Sequence, residues 1–575
     1  MSDDRTWGVL ASQSTEDALR NHIAGSADEF HADVAAREIH WQHPSCGAWL
    51  AREDGNDWLG WSSRGEATGI EADCWTPWQS VLDESAAPYY KWFTGGHTNA
   101  CFNLVDRHLL LGRADKTAII FEGDRWDPSK NSGRGGPVTE QHFSYRKVFE
   151  EIIARMQVLR DLGLNKGDRI AFNLPNIPEQ IFYMLAAQRM GVVYTPVFGG
   201  FSAKTLSDRI HDAGAKLVIT ADGGYRNAEV VGYKGTYADP ALDNYIPRET
   251  ALATLKAVLE TYDLGDLADT LYSDVNSALA GEITLERSDV MRELGASLAS
   301  QNAIAPELTA ELRTAVARQL ADAKHNVENV IVVEYTGQEV VEHARDSWSN
   351  DLVASAKATI AKHLGVTDFE TLISEEPAAL WAKLNAVLPV ESVDSNFPLF
   401  IIYTSGSTGK PKGVVHTHGS WLSGVSHTMR TVFNATEDDT LYVIGDPGWI
   451  TGQSYLIAAP LVQGMTTVIA EGSPLFPHAG RFSSIIERYK VTLFKAGSTF
   501  LKAVMTDPAS AREMADFDMS TLRAGTFCAE PVSPAVQQFA MDNICKHYIN
   551  SYWATEHGGI VFSLSLIHIS EPTRR

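Results

Sequence analysis

The apolar run Leu399 to Ile402 leads without a break into Tyr403-Thr404-Ser405-Gly406-Ser407-Thr408-Gly409-Lys410-Pro411-Lys412-Gly413, and this stretch narrows the choice of fold most. Its glycines let backbone N–H groups approach an anion, the hydroxyls of Thr404, Ser405, Ser407 and Thr408 add donors, and Lys410 and Lys412 offset negative charge. A polyphosphate suits such a loop, and the loop needs a buried strand to carry it. The ordinary P-loop pattern also puts Gly and Lys after a strand, but it fails here twice. With Gly409-Lys410 as its GK pair it requires Gly at position 404 and Ser or Thr at 411, where the chain has Thr404 and Pro411. A flexible Ser/Gly linker is the plain alternative; the strand before the loop and Val414-Val415-His416-Thr417-His418 after it argue against that.

Around the loop, two periodicities alternate. Val148, Ile152, Met156 and Leu159 recur at helical spacing, Gly163 to Asp168 supplies a turn, and Ile170 to Leu174 reads as a buried strand. Pro178 opens the next expected helix, through Tyr183 and Met190, followed by strands at Gly191 to Val197 and Lys216 to Thr220. More strands are expected at Val330 to Glu334, Leu399 to Tyr403, Leu441 to Ile444 and Thr466 to Ala470. Strands separated by helices imply crossover connections, so the expected class is α/β with mostly parallel sheets. Between Tyr237 and Asn329 the composition turns to Ala, Leu, Glu and Arg. There Leu252/Leu255/Leu259 and Leu308/Leu312/Val316/Leu320 each fit one helix face, marking an inserted helical subdomain over 237–329. The Trp-rich start, with Trp41, Trp49, Trp58, Trp61, Trp75 and Trp78, reads as a capping or docking segment over 1–85.

Composition removes several function classes. Against 72 acidic residues there are 48 Lys and Arg, a net charge of −24, which argues against a surface built for nucleic acid while leaving local basic pockets open. With 575 residues and 44% hydrophobic content, the chain can build several cores, and wholesale disorder is excluded. Cys46, Cys74, Cys101, Cys528 and Cys545 include no CxxC pair and read as reduced thiols. The start, Met1-Ser2-Asp3-Asp4-Arg5, lacks a basic segment followed by an apolar one, and no apolar run is long enough to span a bilayer; a cytoplasmic chain without membrane partners is expected.

The loop Tyr403 to Gly413 is similar to the phosphate loop of the AMP-forming acyl-CoA synthetases of the adenylate-forming superfamily, in their acetyl- and propionyl-CoA synthetase branch. The resemblance extends to WFTGGHTNACFNLVDRH from Trp92, GDRIAFNLPNIPE from Gly167, VFGGFSAKTLSDRI from Val197, GDPGWITGQSY from Gly445 and YWATEHGG from Tyr552. It implies that a carboxylate attacks the α-phosphate of ATP to give an acyl-adenylate and pyrophosphate, after which coenzyme A takes the acyl group. The helical insert and Trp-rich start depart from ordinary acetyl-CoA synthetases. They look more like the synthetase region of propionyl-CoA synthase, which activates 3-hydroxypropionate ahead of fused hydratase and reductase domains. Large-domain sequence is then expected over 86–236 and 330–563.

By that resemblance, Thr404, Ser405, Gly406, Ser407, Thr408, Gly409, Lys410 and Lys412 hold the phosphates, Thr408 and Lys410 among the catalytic set. Thr555 contacts the α-phosphate, and Glu556 is the carboxylate near Mg²⁺. Glu556 reads otherwise as a surface carboxylate, and His557 as a loop histidine. Ala529, Glu530 and Pro531 match the segment along the adenine. Asn550 stands where acetyl-CoA synthetases carry Asp, and its amide carbonyl can still accept from the adenine amino group. Trp449, Ile450, Thr451, Cys528 and Trp553 match the short-acyl pocket, where a tryptophan removes volume a long chain would need. Either tryptophan alone reads equally as core. Gly199, Gly200 and Arg226 match the coenzyme A region, and Arg226 reads equally as a surface arginine. His416 and His418 are set aside as supporting residues at a helix start, because an ionised carboxylate needs no base to attack.

On this resemblance the family's ribose-binding aspartate, hinge and lid domain with its adenylation lysine are expected to lie beyond Glu556, where the 19 residues given do not match them. The stretch Leu564 to Arg575, LSLIHISEPTRR, looks like the translated end of a sequencing adapter, so genuine sequence is expected to end near Phe562 or Ser563 and the fragment to turn over little. The enzyme alternative is a stand-alone acetyl- or acryloyl-CoA synthetase with an unusual insert. From another class, the alternative is a non-catalytic nucleotide-binding fragment or scaffold.

Overall fold

Strands that are apolar on both faces must be covered on both faces, and the chain meets that demand with two large sheets. The computed structural model describes residues 21, 23–42, 49–50, 77–301, 304–323, 327–405 and 411–563, with backbone alone at 49, 50 and 405. The first sheet runs Asp346–Trp348, Asn329–Val333, Leu217–Ala221, Arg169–Asn173, Val193–Pro196, Pro398–Ser405 and Pro411–Thr417, parallel except at the last. The second runs Phe562–Ser563, Tyr548–Tyr552, Ala524–Cys528, Leu493–Gly497, Thr440–Val443, Thr466–Ala470, Thr117–Glu122 and Glu140–Ser144. Only its two edge pairings are antiparallel. The expected α/β class with mostly parallel sheets is what the chain adopts.

Local signals account for the main crossovers. The Ser144 side chain accepts the Lys147 N–H at 3.2 Å and opens the helix Tyr145–Asp161, whose Val148, Ile152 and Leu159 are fully buried. Pro178 takes the first turn of Pro178–Met190, where its missing N–H costs nothing, and Gly191 ends that helix at φ 68°. This helix packs against Tyr145–Asp161 and is buried almost all round. The strand expected at Lys216 to Thr220 lies one residue later, at Leu217–Ala221. The loop strand is longer than expected, because Pro398–Ser405 is one arm of a hairpin whose other arm, Pro411–Thr417, pairs with it antiparallel.

Helices Arg248–Glu260, Asp266–Ala278, Arg287–Ser300 and Pro306–Ala321 enclose a core of their own, including Leu255, Leu271, Val275, Leu294, Leu312 and Val316. Asp208 fastens this unit to the body, accepting the Thr284 N–H at 3.0 Å while it pairs with Lys204 at 2.9 Å. Near the start of the described chain, the helix Ala27–Glu38 lies on His418–Phe433. Its buried Glu38 takes Arg430 at 2.9 Å, and Trp41 is buried against Trp78 and Phe93. Trp58, Trp61 and Trp75 lie outside the described residues. Among the described residues no helix is long and apolar enough to cross a membrane. Cys101, Cys528 and Cys545 are buried free thiols.

The strand ends of the second sheet are held by a fully buried ion cluster. Arg481 reaches Asp124 at 3.2 Å and Glu122 at 3.4 Å and donates to the carbonyls of Gly123 and Glu471, both at 3.0 Å. Arg488 and the Tyr489 hydroxyl complete Glu122. Removing the guanidinium would leave two carboxylates buried without their main counter-charge, a loss of about 3–5 kcal/mol. Arg481→Met is therefore expected to lower the urea unfolding midpoint by a corresponding amount; an unchanged midpoint would contradict the role given to the cluster.

Candidate active site

The hairpin arms register Thr404 opposite Lys412 and Ser405 opposite Pro411. Gly406, Ser407, Thr408, Gly409 and Lys410 lie outside the described residues, as does the Ser405 side chain. Thr404 is half-buried and Lys412 exposed. One residue before Thr404, the Tyr403 hydroxyl donates to Asp212 at 2.6 Å, with Arg209 over its ring.

The second arm reaches the turn that holds Thr555 and Glu556. His416, on this arm, donates from Nε2 to the Thr555 carbonyl at 2.9 Å and lies against Phe400 and Trp421. The Trp421 indole donates to the Gly558 carbonyl at 3.2 Å, Ser454 donates to the same oxygen at 2.5 Å, and the Ile560 N–H donates to the Tyr455 hydroxyl. Thr555 is half-buried, and Glu556 projects to solvent. His557 is exposed and accepts the Ala554 N–H, so it closes its own turn. A lone exposed carboxylate beside a hydroxyl suits a hard cation that takes its remaining ligands from phosphate and water. Asp239, Asp243 and His343 also come together, but Lys234 and Arg345 already pair with the two carboxylates, at 2.8 and 2.7 Å.

Ala529, Glu530 and Pro531 follow the strand Ala524–Cys528 and are exposed; Ala529 has φ 82°, rare for a residue with a Cβ. Glu530 pairs with Lys502 at 2.6 Å. Asn550, on the neighbouring strand opposite Phe527, is exposed. The short-acyl set divides. Cys528 and Trp553 are buried with Tyr455 and with Lys495, a residue the sequence reading passed over. Ile450 is buried and Thr451 half-buried. Trp449 is 46% exposed and packs on Phe198 and Phe201.

Trp449 forms one wall of a cleft of about 480 Å³ that also contains Gly199, Gly200 and Arg226. The cleft opens just past the carboxyl ends of strands from both sheets, through Pro175, Gly224, Ile444 and Glu471, which is where α/β sheets characteristically receive ligands. Gly199 is required because a Cβ there would overlap the Tyr233 hydroxyl. Arg226 is exposed on the small hairpin Gly223–Arg226. Asp446 is half-buried at the cleft, and desolvation raises its carboxyl to about 6 although it accepts the Gly448 N–H at 2.7 Å. Nothing in the sequence singled out Asp446 or Lys495; a charged residue inside an apolar strand, as in Leu493-Phe494-Lys495-Ala496, was the available signal.

The chain has clear relatives. A family model described as AMP-binding enzyme matches residues 111–575, and one described as acetyl-coenzyme A synthetase N-terminus matches residues 65–104. The chain is 32% identical over 504 residues to an acetyl-coenzyme A synthetase of Pyrobaculum arsenaticum, covering 87% of this chain and 58% of that one. It is 32% identical over 490 residues to one of Streptomyces avermitilis, covering 84% of this chain and 56% of that one. To one of Mycobacterium tuberculosis it is 32% identical over 530 residues, covering 91% of this chain and 62% of that one. The chain thus spans about three fifths of the length of the curated relatives it matches.

Two expectations follow from this geometry. Gly558 has φ 72°, and a Cβ there would lie 2.6 Å from Trp421 Cδ1 and 2.8 Å from His416 Cε1. Gly558→Ala should therefore cost about 1–3 kcal/mol of stability, read as a lower melting temperature; a melt like that of the parent would show that the turn yields. Burial also pushes His416 and His427 down to about 4 and His418 down to about 3, from an ordinary 6.5. In the unfolded chain these rings take up protons below about 6.5 that the fold refuses, so stability is complete above that value and drains as pH falls toward 4. Each should contribute about 2 kcal/mol of loss near pH 5. Melting should occur at a lower temperature near pH 5 than near pH 7.5, with a smaller gap in His427→Gln; equal midpoints would refute the assignment.

Proposed function

Since the chain belongs to the AMP-binding enzyme family, we propose that it carries the ATP-binding body of an acid–thiol ligase. The ligase joins a short-chain carboxylic acid to AMP, releases pyrophosphate, and then passes the acyl group to coenzyme A. The observation that carries the reading is the 2.9 Å bond from His416 to the Thr555 carbonyl, because it ties the strand Pro411–Thr417 to the turn with Thr555 and Glu556. In this reading Thr555 and the strand that carries His416 serve one nucleotide together, and alignment is most of what an in-line displacement at phosphorus asks of a protein.

In this reading Thr404, Ser405, Gly406, Ser407, Thr408, Gly409, Lys410 and Lys412 donate to the outer phosphates and Thr555 to the α-phosphate, while Ala529, Glu530, Pro531 and Asn550 border the adenine. Glu556 would hold Mg²⁺, which when bound supplies positive charge at the phosphates. Trp449, Ile450, Thr451, Cys528 and Trp553 bound the acyl end. The cleft that contains Gly199, Gly200 and Arg226 takes the coenzyme A side. The finer proposal is a propionyl-CoA synthase front end acting on 3-hydroxypropionate, propionate, acrylate or acetate ahead of hydratase and reductase domains, supported by the helical unit inserted before Asn329–Val333. A stand-alone acetyl-CoA synthetase is the second reading, supported by the names of the relatives.

Acid-dependent exchange of labelled pyrophosphate into ATP by the full-length protein tests the proposal. Exchange with AMP as the final nucleotide product is expected, with Thr555→Val and Glu556→Gln each slowing it about a hundredfold. ADP as the product, or exchange indifferent to both substitutions, would overturn it.

A further inference from the structure

Asp446 lies where the cleft meets the turn that leads into the acyl-side residues. It lines the cleft together with Gly199 and Arg226, and Trp449, three residues on, is exposed on the wall of that cleft, while Ile450 is buried and Thr451 half-buried. The Trp449 N–H donates to the Asp446 carbonyl at 2.9 Å, and the Gly448 N–H donates to Asp446 Oδ1 at 2.7 Å. A Cβ at Gly448 would lie 2.5 Å from Phe198 N and 2.9 Å from Asp446 Oδ1, so the turn closes on the carboxylate only with glycine there. Among the described residues nothing donates to Oδ2 and no cation pairs with the group; burial and the Gly448 bond alone set its acidity. The other acid on the cleft wall differs. Glu471 accepts the Tyr335 hydroxyl, the Tyr225 N–H and the Asp124 N–H, at 2.6, 2.8 and 3.2 Å.

Capping this turn does not need a charge, since an Asn side chain accepts the same N–H. A half-desolvated carboxylate with one oxygen unengaged is costly, and in a cleft for a phosphate-bearing molecule it would repel the phosphates. It suits the other end of such a molecule. We propose that Asp446 is the general base of the second half-reaction, taking the proton of the coenzyme A thiol as the sulfur attacks the acyl-adenylate. This rests on the reading above in which this cleft takes coenzyme A and Trp449, Ile450 and Thr451 border the acyl group. As the S–C bond forms, the S–H bond breaks and its proton passes to Oδ2; the bond from the acyl carbon to the phosphate oxygen breaks, and AMP leaves with the electron pair. A thiol ionises near 8.5 in cysteine and is only a few per cent thiolate at pH 7, so a positioned base is worth a factor of about 10²–10⁴. With its carboxyl raised to about 6, Asp446 is a stronger base than an ordinary carboxylate and still ionised at pH 7. Its titratable neighbours on the cleft walls leave it that role: Glu471 is engaged as above, burial and then the Asp446 charge push the Tyr233 hydroxyl up, and Arg226 is an exposed cation.

The test supplies the full-length protein with preformed propionyl-adenylate and coenzyme A and follows thioester formation across pH. In the unsubstituted protein, kcat/KM for coenzyme A should fall below a limb near pH 6 and be nearly flat from about pH 7 to 8. Asp446→Asn keeps an acceptor for the Gly448 N–H and so keeps the turn. It should slow thioester formation about a hundredfold at pH 7, make the rate climb toward the thiol's own ionisation, and depress thioester formation far more than acid-dependent pyrophosphate exchange. Three results would each overturn the inference and leave the ligase reading standing: a rate in the unsubstituted protein that climbs about tenfold per pH unit from 6.5 to 8, an Asp446→Asn variant with the parent's rate and profile, or one that loses exchange and thioester formation in equal measure. Absence of both exchange and thioester formation in the unsubstituted protein overturns the ligase reading and this one with it. If Asp446→Asn fails to fold, the pH profile of the unsubstituted protein decides alone.

Discussion

Two parallel sheets that end at a common seam bring the carboxyl ends of many strands together, and polar groups collected there must be satisfied without water. The buried Arg481 meets that constraint on the second sheet by joining Glu122, Asp124 and two backbone carbonyls. Glu471 continues the network toward the first sheet, accepting the Tyr225 N–H at 2.8 Å and the Tyr335 hydroxyl at 2.6 Å. Asn176 crosses the same seam, donating to the carbonyl of Ala470 at 3.1 Å. These links set the spacing of the cleft walls, so the position of Trp449 relative to Gly199 and Arg226 is inherited from them.

The other side of the site is governed by packing around one turn. His416, Trp421, Ser454 and Tyr455 all bond to backbone atoms between Thr555 and Ile560. None of these side chains has to touch a ligand for the turn to matter. They leave Thr555 and Glu556 with little freedom, and a catalyst whose work is alignment benefits when orientation is settled before the ligand arrives. Keeping His416 neutral serves the same end, since protonation would add an unsatisfied N–H donor within an aromatic cluster.

Much of the architecture could be read from residues in order. Pro178 and Gly191 punctuate a helix, and the run through Ile170 and Phe172 is a strand because a continuous apolar stretch of that length has few other homes. Boundaries moved by a residue at Leu217–Ala221, as they do when hydrogen-bond register rather than side-chain pattern ends a strand. The pairing of Pro411–Thr417 was hidden because Lys412 and Gly413 weaken the strand signal, and the ladder to Pro398–Ser405 restores it.

The sequence by itself determined the alternation of strands and helices, the glycine- and hydroxyl-rich connection after an apolar strand, and the family, because each depends on residues close together along the chain. Tertiary structure decided which of the candidate residues share a surface. It put Trp449 on the wall with Gly199 and Arg226 and left Trp553 with Cys528, and it brought His416 to Thr555 and Lys495 to Ser551. Those choices follow from strand order and sheet pairing, which depend on the summed burial of all the strands at once and leave no mark on any short stretch of sequence.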